Sequence, residues 1–362
     1  MKVFAAFVRK EFLHIFRDKR TMLILLVMPV LMIVIFGFAL SNEINNINLV
    51  VVSSQRSETV RRLVERFASN PYFTIVGEYA TTEPAMHLLR TGDAGMAIVL
   101  DSDFDRQPSV QLIVDASNPN MASNEVFYAS SVIRQAMSDV FPVSAEQASV
   151  TTHLRMLYNP QMRSSYNFVP GIMGLVFILI SALMTSISIV REKEQGTMEV
   201  LLVSPVRPIY IILSKMVPYL VISCFNLLTI LFLAYFLLDV PMSGGIVGLC
   251  ILSLVYIILS LALGLFISTV VNTQAVAMLG SVIGLMLPVM LLSGMIFPIE
   301  SMPLLLQYIS DVIPAKWYIM AARKMMIEGQ SLGQVYVEAS ILTGMTIALM
   351  TLSLKNFKNR LG

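Results

Sequence analysis

Thr21 to Leu40, TMLILLVMPVLMIVIFGFAL, is a run of 20 residues without a charged side chain. A helix rises about 1.5 Å per residue, so a run of this length matches the hydrocarbon core of a bilayer, which is about 30 Å thick. The run is longer than the roughly 7–15 apolar residues of a signal-peptide core, and acids as well as bases precede it. It therefore predicts a first membrane span that stays in the chain.

Five further apolar runs decide the fold class. The predicted spans are 21–40, 166–190, 210–238, 246–271, 275–297 and 334–354; the third is uncharged from Met216 onward, and the last contains Glu338. The composition agrees, because 56% of the residues are hydrophobic and 13% are charged, against about 25% charged in soluble domains. We expect an α-helical polytopic membrane protein with six transmembrane helices.

Lysine and arginine predict the orientation of these spans. Thirteen of the 25 lie in or next to segments 1–20, 191–209 and 355–362, three lie in the short loop 298–333, and nine lie in the long segment 41–165. Short cytoplasmic loops are enriched in Lys and Arg, whereas long domains translocate largely regardless of charge. Both termini are therefore expected in the cytoplasm. No basic stripe with interleaved aromatic residues indicates nucleic-acid binding.

Segment 41–165 has the composition of a folded α/β domain on the outer side of the membrane. Strand patterns at 47–52, 73–76, 94–100 and 110–114 alternate with helical patterns at 57–69, 82–90 and 120–140. The order βαβαββα predicts a mixed sheet covered by helices. Asp101, Asp103, Asp105 and Asp115 form an acidic cluster, which we interpret as a solvated loop because the glycine and terminal glutamate of a calcium loop are missing.

Two segments outside the predicted spans are expected in the cytoplasm, one before the first span and one after the second. Residues 1–20 place apolar side chains at helical spacing among basic ones, which predicts an amphipathic helix at the membrane surface, either as an anchor alone or also as a partner surface. The loop 191–209 follows the second span and begins REKEQGTMEVLLVSP. Gly196 permits a turn, and Thr197 can cap a short helix that Pro205 ends. The segment is either an ordinary polar loop or a short amphipathic helix that forms a surface for a soluble partner.

This loop resembles that of the ABC-2 type permeases, the membrane subunits of bacterial ABC exporters. The family signature E-x-E-x-G-T-x-E-x-L-L-x-x-P matches here Glu192, Glu194, Gly196, Thr197, Glu199, Leu201, Leu202 and Pro205. FVRKEFLHIFRDKR, from Phe7, is similar to the family's elbow helix. LSGMIFPIESMP from Leu292 and IPAKWYI from Ile313 resemble its outer loop, which carries short re-entrant helices in 298–333.

The resemblance implies a type-2 ABC exporter permease of the branch with a large extracytoplasmic domain inserted between spans one and two. It implies that Arg191 and the signature residues contact separate cytoplasmic ABC ATPase subunits, which would hold the ATP and Mg²⁺. It also implies pairing with an identical or different second permease subunit in the cytoplasmic (inner) membrane. A periplasmic adaptor and an outer-membrane channel stay open, and so does the substrate.

The chemistry of the remaining residues agrees with an energy source on another chain. None of the nine lysines follows a glycine, as the lysine of a phosphate-binding P-loop does. The cysteines and histidines lack metal-ligand spacing, so we expect no metal or other cofactor on this chain. A secondary transporter and a membrane sensor are the alternatives. A secondary transporter usually needs ionisable groups inside the membrane, and the candidates here are Lys215 and Glu338. We interpret both as residues near span ends whose side chains snorkel to the interface.

Gly280 and Gly284 form a G-x-x-x-G pair in the fifth predicted span. Such pairs let helices approach closely. They predict either packing within the chain, which we favour slightly, or the seam between two permease subunits.

Overall fold

The computed structural model describes residues 2–39, 46–55, 57–105, 109–114, 119–140, 163–198 and 208–359. The chain divides into two compact units. Unit 1 comprises residues 1–41 and 156–362, and unit 2 comprises residues 42–155, which lie between two helices of unit 1 in the sequence.

The described part of unit 1 is built from helices, several of which are long and apolar. They are α1 (Lys2–Arg17), α2 (Lys19–Ala39), α6 (Ser164–Glu194), α7 (Pro208–Phe236), α8 (Ile246–Val270), α9 (Gln274–Leu292), α10 (Leu304–Asp311), α11 (Pro314–Met326) and α12 (Tyr336–Asn359). Five of the described helices, α6 to α9 and α12, are long and apolar enough to cross a bilayer. A sixth span is counted if α1 and α2, which meet at an angle of 74°, are taken together.

The bend between α1 and α2 has a local cause. Asp18 lies between the two helices, and its carboxylate accepts hydrogen bonds from the backbone N–H and the hydroxyl of Thr21, at 3.2 and 2.6 Å. An aspartate in this place satisfies a donor at the start of the second helix, as N-cap residues do. The apolar span that the sequence predicts from Thr21 therefore starts as a separate helix.

The fifth predicted span, 275–297, is shorter in the structure than the sequence indicated. Helix α9 ends at Leu292, because Ser293 and Gly294 follow and Gly294 has a φ of 78°. A left-handed backbone ends a helix and favours glycine. The chain then forms a 3₁₀ turn at Ile299–Ser301 and the short helices α10 and α11, inside the loop where short helices were expected.

Helix α6 lies at the centre of unit 1 and packs against α2, α7, α8, α9 and α11. Gly264 of α8 lets that helix approach closely, since a Cβ atom there would lie 2.3 Å from the carbonyl oxygen of Ala182. The rings of Tyr256 and Tyr318 stack at 4.2 Å, and the Tyr256 hydroxyl donates to the Gly174 carbonyl at 2.9 Å. These contacts join α6, α8 and α11 into one buried core.

Unit 2 contains the mixed sheet that the sequence predicts. Its elements are β1 (Ile47–Val52), α3 (Glu58–Ala68), β2 (Phe73–Tyr79), α4 (Thr82–Thr91), β3 (Met96–Leu100), β4 (Val110–Val114) and α5 (Pro119–Val140). The strand order is β2-β1-β3-β4; β1 pairs parallel with β2 and β3, and β4 pairs antiparallel with β3. Successive residues of β1 enter separate apolar clusters on the two faces of the sheet. Strands buried on both faces read as continuous apolar runs, as INLVVV does.

Candidate functional site

The signature segment begins in the last turn of α6. Glu194 ends the helix, and Gly196 turns the chain with a φ of 71°. The Thr197 hydroxyl donates to the Glu192 carbonyl at 3.2 Å, and Met198 is buried in the core of unit 1. Glu199, Leu201, Leu202 and Pro205 lie outside the described residues. The site can therefore be built from Arg191 to Met198.

Glu192 belongs to a cluster of four charged side chains from three helices, which we call the ion cluster. Lys10 and Glu11 come from α1, Glu192 from α6 and Lys215 from α7. Glu192 Oε1 lies 2.9 Å from Lys215 Nζ and 3.3 Å from Lys10 Nζ. Glu11 Oε1 lies 3.4 Å from Lys215 Nζ and 3.3 Å from Lys10 Nζ. Two cations and two anions thus join the amphipathic helix to two membrane helices.

Most of the ion cluster is removed from solvent. The side chains of Lys215, Glu11 and Glu192 are 4%, 7% and 12% exposed, whereas that of Lys10 is 54% exposed. Burial disfavours the charged form of Lys10, but the carboxylates of Glu11 and Glu192 outweigh this effect and raise the pKa of Lys10 above its ordinary value of 10.5. Neighbouring opposite charges favour the ionised form of a side chain in this way.

Apolar, aromatic and hydrogen-bond contacts also join α1 and α2 to α7. Ile15 of α1, Leu25 of α2 and Ile222 of α7 form a small buried group. The Asn226 side chain on α7 donates to the Leu25 carbonyl at 3.0 Å, and the rings of Phe4 and Tyr210 lie 6.1 Å apart. Helix α1 is therefore fixed to α7 at several points along its length.

The neighbouring signature residues contact the turn between α8 and α9. Glu194 Oε2 accepts from the backbone N–H of Gln274 at 3.1 Å and from its side-chain amide at 2.8 Å. Arg191 Nε donates to Gln274 Oε1 at 3.0 Å, and Lys193 Nζ donates to the Ser268 carbonyl. We call the arrangement of Arg191 and Glu194 around Gln274 the glutamine clamp. Arg191 also contacts His14 Nε2 at 3.1 Å, so one short segment touches α1, α7, α8 and α9.

The interpretation of Lys215 and Glu338 as snorkelling residues is wrong. Lys215 is 3% exposed and is held by two carboxylates. Glu338 is 5% exposed, and its carboxylate lies 2.6 Å from Lys324 Nζ. Both side chains point to partners on other helices because those partners are near enough to neutralise them, which lowers the cost of keeping a charge away from water.

Gly280 and Gly284 do not serve packing within the described part of the chain. A Cβ atom on either glycine would meet no atom within 4 Å. The buried residues of α9, which are Ala277, Ser281 and Val289, face a different direction. Packing of these glycines within one chain is thus not seen among the described residues, and both the packing role and the seam between two subunits stay predictions.

The acidic cluster of unit 2 has local hydrogen bonds. The backbone N–H of Ser102 donates to Asp101 at 2.6 Å, and the Ser57 hydroxyl donates to Asp105 at 2.8 Å while capping α3. Asp115 lies outside the described residues. These contacts agree with a polar loop that stabilises the start of α3.

Sequence reasoning did not identify Lys10, Glu11 and Gln274 as site residues. A signal existed for two members of the ion cluster. Glu11 is the only acid in the first 17 residues, and Lys215 is the only charge in a long apolar stretch. A charge in such a stretch requires a partner. Nothing in the local sequence distinguishes Gln274.

Membrane-length helices, a separate α/β unit and a polar junction at the end of the central helix are typical of a multi-pass membrane protein. The chain belongs to the ABC-2 family of transporter proteins, whose sequence model matches residues 19–355.

Named relatives cover nearly the whole chain. It is 26% identical over 364 residues to the "Probable multidrug ABC transporter permease YbhS" of Escherichia coli K12. This alignment covers 97% of this chain and 96% of YbhS. It is 26% identical over 335 residues to YbhR, the similarly named permease of the same strain, covering 91% of each chain. It is 24% identical over 353 residues to the "Inner membrane transport permease YhhJ", covering 92% of this chain and 93% of YhhJ.

Proposed function

We propose that this protein is the permease subunit of an ATP-driven exporter in the inner membrane. Family membership and the relatives support the coarser part, a non-catalytic membrane permease subunit of an ABC transporter. The finer part is that separate ATPase subunits contact residues 191–205 from the cytoplasm and drive export. It includes six spans, two cytoplasmic termini and an outer position for residues 41–165. Two permease subunits form the complete path.

The connection of the signature segment to its neighbours is the observation that carries this proposal. Glu192 contacts α1 and α7 through buried ion pairs, and Arg191 and Glu194 contact the first residue of α9. A loop that merely linked two spans would not need charged contacts to three other helices. A segment that receives a mechanical stroke does need them, because the stroke must reach the membrane helices without being lost in local bending.

The geometry indicates how such a stroke would act. Gly196 ends α6 in a left-handed turn, and the Met198 side chain is buried in the apolar core. Displacement of the chain beyond Gly196 would therefore act directly on the last turn of α6. The ion cluster would pass this displacement to α1 and α7, and α6 itself lies at the centre of unit 1.

One carboxylate oxygen in the ion cluster is available for a further contact. Glu192 Oε2 is buried and accepts no hydrogen bond from the residues that the structure describes. A buried acceptor without a partner costs about 1–3 kcal/mol. We propose that a donor from the ATPase occupies this position in the assembled transporter.

For the substrate, we propose a chemical class rather than a particular compound. Two relatives carry "multidrug" in their names, and drug-like amphiphiles are accordingly the first compounds to test. A periplasmic adaptor and an outer-membrane channel are further proposed partners that contacts within this chain do not address.

Co-purification of the tagged chain from its native membrane in mild detergent tests the proposal. We expect a stoichiometric soluble ATPase with the wild-type chain, and a reduced amount with Glu194→Ala and with Gly196→Pro. Proline fixes φ near −65° and cannot adopt the 71° of Gly196. Glu58→Ala is the matched control, because Glu58 lies on the exposed surface of α3 in unit 2.

The amount of each variant in the membrane is measured alongside, so that loss of the ATPase is separated from loss of the permease. Full ATPase recovery with both signature variants would contradict the coupling role. A chain that purifies without an ATPase in several detergents would favour a secondary transporter or a sensor.

A further inference from the structure

Gln274, the first residue of α9, contacts the signature segment with both ends of its side-chain amide and with its backbone N–H. The amide nitrogen lies 2.8 Å and the backbone nitrogen 3.1 Å from Glu194 Oε2. The amide oxygen lies 3.0 Å from Arg191 Nε. Three hydrogen bonds thus connect Arg191 and the signature residue Glu194 to the start of another membrane helix, 80 residues beyond Glu194 along the chain.

The chemistry of the position requires an amide. Glutamine carries a donor and an acceptor on one planar group, and its two neighbours here are a carboxylate that accepts and a guanidinium that donates. A glutamate at position 274 would repel Glu194, a lysine would repel Arg191, and an apolar side chain would remove the side-chain hydrogen bonds to both while keeping the backbone bond to Glu194. A glutamine can satisfy both neighbours at once.

The contact also completes the N-terminus of α9. The first N–H groups of a helix have no partner within the helix. The Thr273 hydroxyl accepts from Val276 N at 3.4 Å, and the Glu194 carboxylate accepts from Gln274 N. A negative charge at a helix N-terminus is favourable because it faces the positive end of the helix dipole. Glu194 therefore acts as a cap that another helix supplies.

Among the residues that the structure describes, α9 is otherwise attached along a narrow stripe. Its buried residues are Ala277, Ser281 and Val289, which are spaced at multiples of four and share one face. Its packing is mainly against α6, while Gly280 and Gly284 lie on open surface. The glutamine clamp is the polar attachment at the end of this helix, and Lys193 adds a contact from the signature segment to Ser268 in the last turn of α8.

We propose that Gln274 is a positioning residue that makes α9 move together with the signature segment when the ATPase acts. The inference rests on the proposed function, because it assumes that the segment receives the stroke. It adds a second route for the movement, from Arg191 and Glu194 through Gln274 to α9. The ion cluster is the first route, to α1 and α7.

Hydrogen–deuterium exchange of the complete permease–ATPase complex tests this inference without a known substrate. Peptides covering 191–198 and 272–281 are compared in the nucleotide-free complex and in the complex trapped with ATP and orthovanadate. In the wild type we expect trapping to change deuterium uptake in both regions. In Gln274→Leu we expect the change at 191–198 to persist and the change at 272–281 to be lost.

Gln334→Leu is the matched control, since Gln334 also precedes a membrane helix and its side-chain oxygen accepts from Ser331 N at 2.7 Å. It should leave both responses as in the wild type. Gln274→Glu is the second variant; it keeps an acceptor for Arg191 but repels Glu194, and it should also lose the response at 272–281. This variant covers the case in which Gln274→Leu fails to fold.

The outcomes separate the two proposals. A wild-type complex that responds at 191–198 but not at 272–281, or Gln274 variants that respond at 272–281 like the wild type, would overturn the role of Gln274 alone. Absence of any response at 191–198 in the wild type would overturn the coupling function on which it rests.

Discussion

Replacing Lys215 by methionine should destabilise unit 1 more than any surface substitution. Lys215 Nζ lies 2.9 Å from Glu192 and 3.4 Å from Glu11, and its side chain is 4% exposed. Methionine preserves most of the volume and removes the charge. Two buried carboxylates would then depend on Lys10, whose side chain is 54% exposed.

The magnitude follows from the burial of the carboxylates. At about 3 Å and an effective dielectric constant near 20, each contact contributes about 5 kcal/mol before desolvation is subtracted. Desolvation of the charges offsets most of that gain, yet removing one partner of a buried pair typically costs about 3–5 kcal/mol, because the other charge stays buried. In a unit of this size, such a loss lowers the melting temperature on the order of 10 °C.

The assay can use the cysteines that the chain already has. Cys224 and Cys250 are the two cysteines of the sequence, and they lie in α7 and α8 at intermediate exposure. A maleimide dye that fluoresces on reaction with a thiol therefore reports the thermal unfolding of unit 1 in detergent. Lys355→Met is the control, since Lys355 is exposed near the end of α12 and should change stability by less than about 0.5 kcal/mol.

A compensating variant tests the cause of the loss. Glu11→Gln and Glu192→Gln added to Lys215→Met remove the uncompensated charges and should recover most of the melting temperature. If Lys215→Met melts within 2 °C of the control, a shift of less than about 1 kcal/mol, the ion cluster does not stabilise the junction. If the triple variant melts no higher than Lys215→Met, lost packing rather than charge is responsible.

Three further predictions concern other parts of the chain. The pKa of Lys10 is raised in the folded protein, so the contribution of its charge to the stability of unit 1 is complete below pH 10.5 and disappears as the pH rises through the folded pKa. The difference in melting temperature between the wild type and Lys10→Met should therefore shrink in that alkaline range. A difference that stays constant would contradict the role of the Lys10 charge. Ser57→Ala removes the cap that accepts from Val60 N at 3.2 Å and should lower the stability of α3 by about 1 kcal/mol. In the intact chain, the amides of α3 should exchange faster in Ser57→Ala than in the control variant Ser69→Ala. Deleting residues 45–165 should spare ATPase co-purification, and loss of the ATPase would place the contact elsewhere.

Local patterns were sufficient for the position of most elements. The strands at 47–52 and 110–114 have the bounds that the sequence predicts, and α3 (Glu58–Ala68) lies within the helical pattern predicted at 57–69. Apolar length likewise located the membrane helices, since it depends only on neighbours in the sequence. The end of α9 was missed because Gly294 lies within an apolar run, where composition gives no sign of a left-handed residue.

Partners distant in sequence explain what the sequence did not reveal about the site. Lys215 and Glu11 are 204 residues apart, and Glu194 and Gln274 are 80 residues apart. Whether a lone lysine near a span end reaches water or a carboxylate depends on the packing of α1 against α7, which no local pattern encodes. The snorkelling interpretation failed at Lys215 for this reason, and Gln274 carried no local signal at all.

The two connections at the end of α6 differ in how they would respond to force. The ion cluster is buried and charged, so separating Glu192 from Lys215 exposes charges that the surroundings cannot solvate, at a cost of about 3–5 kcal/mol. The glutamine clamp contains hydrogen bonds to charged groups, each contributing about 1.5–3 kcal/mol, and Glu194 lies on exposed surface. A displacement of the signature segment would therefore act on α1 and α7 through the ion cluster and on α9 through the glutamine clamp, and only the clamp can be weakened without leaving a buried charge unpaired. This difference makes Gln274 the position at which substitution should alter coupling while leaving the helices folded.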